Sequence, residues 1–169
     1  MIDKISRLFL VGILWLHGCS STQLNKTAIP SQIQKQKLFA IVPFYNYTQT
    51  PMAGYRAAAL ANAVAAQKGF VSKTVGMDSK EGMLDETLPD RETLLKHAES
   101  SGARYMITGE VTEWRYKTGI DGEPAVGLVL HIVDLKEGKT IYTGAGSESG
   151  WGHKSISVIA QSVLEKIIP

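Results

Sequence analysis

Ten residues in the C-terminal half, Val126–Leu135 (VGLVLHIVDL), are apolar on both alternating faces over much of their length. In a strand, successive side chains point to opposite faces, so such a run belongs in the middle of a sheet with cover on both sides. Some of that cover is expected from other subunits. On either side of it, Arg104–Lys117 and Thr140–Ser149 are also rich in β-prone residues. Turn-like segments, Thr118–Pro124 and Lys136–Lys139, join the three stretches, which predicts an antiparallel meander.

The chain before the meander follows a different period. Leu38–Phe44 (LFAIVPF) is a short apolar run that reads as a buried strand. Tyr55–Lys68 is alanine-rich, with Ala57, Leu60, Ala61 and Val64 on one helical face and Gly69 as a C-terminal cap. Phe70–Val75 then supplies a strand parallel to the first, with the helix as crossover. Gly76–Pro89 reads as a loop leading to a helix from Asp90 to Gly102, with Leu94, Leu95 and Ala98 inward. After the meander, Ile156, Ile159, Ala160, Val163 and Ile167 recur at helical spacing, so Ser155–Ile168 closes the domain as an amphipathic helix. The expected order is βαβαβββα: a single α/β (α+β) domain of two or three layers built on a mixed sheet. With 169 residues there is room for one core.

The N-terminus carries an address. Lys4 and Arg7 precede Leu8–Leu16 (LFLVGILWL), a nine-residue apolar run. As a helix it would cover about 14 Å, roughly half of a bilayer's hydrocarbon core. That length and charge order fit a signal peptide over residues 1–18. The run ends in Leu16-His17-Gly18-Cys19-Ser20, which resembles the bacterial lipobox, although His17 replaces a customary small residue. The resemblance implies that Cys19, the one cysteine in the chain, receives a diacylglycerol and then a further acyl chain such as palmitate. Ser20, where aspartate would signal inner-membrane retention, implies the periplasmic face of the outer membrane. Several acyl chains, at about 0.8 kcal/mol per buried CH2, give lasting attachment. Residues 19–37 are polar and read as a lipidated tether, leaving 38–169 as the folded domain.

Most other chemistries fail on composition or spacing. Positive charge is not clustered, which argues against nucleic acid. A single thiol excludes an internal disulfide and a cysteine-based zinc site. Gly144, Gly146 and Gly150 miss the dinucleotide spacing, and Glu148 stands where a nucleophile elbow needs serine. His97, His131 and His153 form no tight ligand pair and read as structural or surface residues, so no metal is expected. Asn46-Tyr47-Thr48 is better taken as a turn after the first strand than as a glycosylation acceptor. A non-enzyme with no cofactor beyond the covalent lipid is the favoured reading.

Leu38–Gly54 (LFAIVPFYNYTQTPMAG), Tyr105–Glu113 (YMITGEVTE), Val126–Leu135 and the Gly150-Trp151-Gly152 turn together resemble the PelC family of exopolysaccharide-export lipoproteins. The opening strand is shared with TolB N-terminal domains, CsgG-like lipoproteins and LpoB-type activators; the Trp-containing turn points to PelC. The resemblance implies a TolB N-terminal-like fold and a dodecameric ring under the outer membrane. Such a ring would guide cationic Pel polysaccharide to an outer-membrane β-barrel during formation of the biofilm matrix. It also implies membrane contact by Trp151, and the neighbouring His153 and Lys154 suit the same interface. A polycation needs repeated carboxylates: Asp121 and Glu123 in the 119–124 hairpin are the first candidates, with Glu110, Glu113 and Asp134 behind them. The alternative is an LpoB-like activator of a peptidoglycan synthase.

Overall fold

The structure, a computed structural model, describes residues 21–31, 33–77, 90–118, 122–151 and 154–169. Seven strands form one mixed sheet: β1 (Thr22–Lys26), β2 (Leu38–Ile41), β3 (Tyr45–Asn46), β4 (Val71–Thr74), β5 (Tyr105–Tyr116), β6 (Pro124–Asp134) and β7 (Lys139–Ser149). Three helices are described: α1 (Ala53–Gln67), α2 (Arg91–Ser100) and α3 (Ile156–Ile167). The spatial order is β1-β7-β6-β5-β2-β4, with β3 pairing β5 beyond the end of β2. β4, β2 and β5 run parallel, whereas β5, β6, β7 and β1 alternate in direction.

The expected meander and central strand are present. On one face of the sheet Val126, Leu128, Leu130 and Ile132 of β6 join Phe39, Ile41, Ile107 and Val111 in a core closed by α1 and α3. Phe39 anchors it, stacked on Tyr105 at 4.7 Å and edge-on to Phe70 at 4.9 Å between ring centroids. The opposite face carries a smaller cluster in which Leu94 and Ala98 of α2 cover Ala40, Val42, Met106 and Val133. Asp90 caps α2 by accepting from the Thr93 N–H at 2.8 Å, and Ser155 caps α3.

Two differences from the expected order have physical causes. Thr22–Lys26 lies in the stretch expected to be a tether, yet it is a strand on the outer edge of β7. Its residues are all exposed, so backbone pairing rather than burial holds it, and hydropathy carries no trace of that. The opening strand also stops at Ile41, and a two-residue bridge, β3, resumes pairing to β5 after Pro43. The 76–89 segment expected as a loop lies outside the described residues from position 78 onward.

Close approach is set by missing side chains. At Gly109, opposite Leu130, an added Cβ would sit 2.1 Å from the Val129 carbonyl oxygen and 2.8 Å from the Phe44 ring. Neither neighbour is the far end of a flexible chain. Gly109→Ala should therefore cost about 3 kcal/mol or more of unfolding free energy. Denaturant unfolding would show this as a lower midpoint with an unchanged slope.

Candidate functional site

One end of the sheet carries Trp151 and Lys154, two of the residues that sequence reasoning tied to the membrane. The Ser149 N–H donates to the Ser21 carbonyl at 3.3 Å, and the two hydroxyls lie 3.2 Å apart. Ser21, two residues after Cys19 and just before β1, is thereby fixed beside the end of β7, two residues before Trp151. Gly150 donates to the Pro124 carbonyl at 2.8 Å, bringing the start of β6 to the same place. Trp151 is 63% exposed and Tyr116, at the end of β5, 52% exposed. The Tyr116 hydroxyl accepts from the Ile156 N–H at 3.2 Å, so its ring is held against the start of α3. Lys154 is exposed close by, and Val158 presents an apolar side chain on the first turn of α3. Aromatic rings with lysines around them form a pattern suited to a lipid–water boundary. Cys19 and His153 lie outside the described residues.

The acidic candidates do not converge. Asp121 is outside the described residues. Glu123 lies at the Trp151 end, its carboxylate 3.9 Å from the Lys117 ammonium. Glu113 follows the irregularity in β5 and pairs with Arg115 at 2.9 Å. Glu110 lies mid-sheet on the α2 face, 3.1 Å from His131 Nε2. Asp134 is at the far end of β6, about 33 Å along the strand from Pro124. It is buried and forks onto Arg104 through two hydrogen bonds, one of 2.6 Å. Every described member of the set thus has a basic partner.

His131 has a defined place. Strand register sets it between Thr108 on β5 and Thr143 on β7. Its Nδ1 lies 2.9 Å from the Thr143 hydroxyl and its Nε2 faces Glu110. A carboxylate only accepts, so Nε2 carries the hydrogen toward Glu110, and in the neutral ring Thr143 donates to Nδ1. Sequence reasoning left His131 isolated because its partners come from two other strands, β5 and β7. The usable signal was parity: Thr108, Glu110, His131 and Thr143 all fall on the face opposite Leu128 and Leu130.

Among the described residues no three His, Cys, Asp or Glu side chains group as metal ligands do, and no described helix is long and apolar enough to cross a membrane.

No family model and no curated protein matches the chain at a significant level. Solved structures do. A crystal form of the PelC dodecamer from Paraburkholderia phytofirmans, carrying a point substitution, is 30% identical and superposes with a TM-score of 0.74. The match covers 87% of this chain and 95% of that one. The chain belongs to the PelC family. A second PelC dodecamer crystal form from the same organism gives a TM-score of 0.72 at the same identity and coverage. The lipoprotein GNA1162 from Neisseria meningitidis shares the fold at 15% identity and a TM-score of 0.57, over 78% of this chain and 94% of that one. The expected α+β domain on a mixed sheet is the PelC fold, and the structure resolves the two-or-three-layer alternative by placing helices on both faces.

The Arg104–Asp134 fork makes a checkable contribution to the stability of this PelC-family domain. Hydrogen bonds from Arg104, helped by the Glu137 and Lys136 N–H groups, hold the Asp134 carboxyl below its ordinary value of 3.8. The folded value lies below the unfolded one, so the stabilisation is complete above that ordinary value and is lost as pH falls through the folded value. Asp134→Asn should lower stability at neutral pH and flatten the acid limb of the stability profile below about pH 4. Thermal melting across pH 2–7 checks both.

Proposed function

We propose that this chain is an outer-membrane-anchored periplasmic lipoprotein whose copies assemble into a ring that guides a cationic exopolysaccharide toward an outer-membrane export barrel. The observation that carries the reading is similarity to PelC dodecamers over 87% of the chain. The shared position of Ser21 and the exposed Trp151 supports it, since an acylated Cys19 would leave the lipid beside an aromatic and lysine-bearing surface. In this reading Cys19 carries the lipid, Trp151, His153 and Lys154 meet the headgroups, and the protein has no catalytic role. The ring repeats the 119–124 hairpin once per subunit, so Asp121 and Glu123 form a circle of negative charge near the membrane, where polymer would pass to the barrel. Glu110 and Glu113 add partly exposed carboxylates along β5, whereas Asp134, buried on Arg104, is not part of the guiding set.

Three experiments test this. Cys19→Ala should move the protein from the membrane to the soluble periplasmic fraction, and Trp151→Ala in the lipidated protein should weaken association with anionic vesicles severalfold. Continued membrane retention of the cysteine variant would refute the anchor. Charge reversal by Asp121→Lys with Glu123→Lys should cut polymer secretion severalfold while native mass measurement shows the same oligomer. Unchanged secretion would exclude the hairpin as a guide.

A further inference from the structure

A cavity of about 230 Å3 lies between the first turn of α2 and the sheet. Its inner wall is apolar, formed by Leu94 from α2 and by Met106 and Val133 from β5 and β6, all buried. Its remaining lining is polar: Tyr45, Arg91, Thr108, Glu110, His131 and Thr140. Arg91 is exposed and has no ion-pair or hydrogen-bond partner among the described residues. The Glu110 carboxylate is held on one oxygen by His131, which Thr143 fixes from behind. The second carboxylate oxygen has no partner among the described residues. Burial raises the Tyr45 phenol above its ordinary value, with Arg91 opposing, so the group stays protonated and can donate.

This mixture separates ligand classes. An apolar ligand would desolvate the Arg91 guanidinium and the remaining Glu110 oxygen without offering either a partner, which is costly. A phosphate or carboxylate would meet Arg91 but also the Glu110 anion. A metal ion would find one carboxylate and an imidazole whose Nε2 hydrogen is already committed. A sugar ring satisfies the whole lining: hydroxyl or ammonium donors for Glu110, oxygen acceptors for Tyr45 and Arg91, and a C–H face for the apolar wall. An amino group adds a charge-assisted hydrogen bond to Glu110.

We propose that this cavity binds one hexosamine residue, holding its nitrogen on Glu110, its oxygens on Tyr45 and Arg91, and its ring against Leu94, Met106 and Val133. The inference rests on the polysaccharide-export reading and names the unit that each subunit would hold. Multiplied around a ring, weak single-residue sites would retain a polymer while letting it move, because each contact breaks separately.

The test uses the full-length chain in detergent, with glucosamine and galactosamine as probes and glucose and galactose as nitrogen-free controls. Saturation-transfer NMR and calorimetry should show saturable hexosamine binding, weaker binding of the plain hexoses, and at least tenfold weaker hexosamine binding in Glu110→Gln and in Arg91→Ala. Glu110→Gln keeps an acceptor for His131, and Arg91 is exposed, so both variants should melt with the wild type. Absence of saturable binding, hexose binding equal to hexosamine binding, or affinity unchanged in both variants would overturn the proposal. Secretion in a deletion strain is scored separately. If the wild-type chain restores secretion and the sugar titration fails, the cavity assignment alone falls. If the wild-type chain does not restore secretion, the export reading falls whatever the titration gives.

Discussion

The packing of α3 onto β6 and β7 is the contact through which the rest of the domain is held in register. Ile159, Val163, Leu164 and Ile167 of α3 are buried against the even-numbered face of β6. The helix can sit that close because Gly144 presents no side chain; a Cβ there would lie 2.7 Å from the Ile167 carbonyl oxygen. That carbonyl instead accepts from the Tyr142 hydroxyl at 2.6 Å, which ties the end of the helix to β7. Lys166 reaches the buried Glu148 at 2.6 Å, and Lys26 donates to the Lys166 carbonyl, so the same helix also steadies the edge strand β1. A one-residue slip of β6 would turn its leucines away from α3 and loosen all of these at once.

How much of this was legible depended on whether an element is made by burial or by pairing. β6 could be read from two apolar faces, α1 from its alanines, α2 from Asp90 and Gly102, and α3 from five apolar positions at helical spacing. Thr22–Lys26 left no such trace, since every residue in it is exposed and only the ladder to β7 makes it a strand. Trp151 was visible because it sits in a local glycine-flanked motif. The cavity under α2 was not, because Tyr45, Arg91, Glu110 and His131 come from four elements whose alignment depends on register. Of the acidic set, sequence could supply exposure and sign but not the partners. Asp134 in particular is spent on Arg104.

The two faces of the sheet have different tasks. The face under α1 and α3 is mainly apolar packing, with Glu148 buried against Lys166 and Ser162 at its β7 side, and it carries the fold. The face under α2 is covered only in part, and there the side chains become polar: Thr108, Glu110, His131 and Thr143 replace the aliphatic residues found on the other side of the same strands. Polar groups at such half-buried positions cost stability unless partnered, and the Glu110–His131–Thr143 chain supplies partners for the inner ones.

The strand at Thr22–Lys26 changes how the domain would ride on its anchor. Had residues 19–37 been a free leash, they would have allowed a reach of about 60 Å. With Thr22 bonded into the sheet, Cys19 lies at most about 10 Å of chain from it. For a chain acylated at Cys19, every copy is then confined to one height above the leaflet and to a narrow range of tilts. Neighbours meet by drifting in a plane instead of tumbling through a volume, which raises their effective concentration and favours closure of an assembly from subunits that bind one another only weakly.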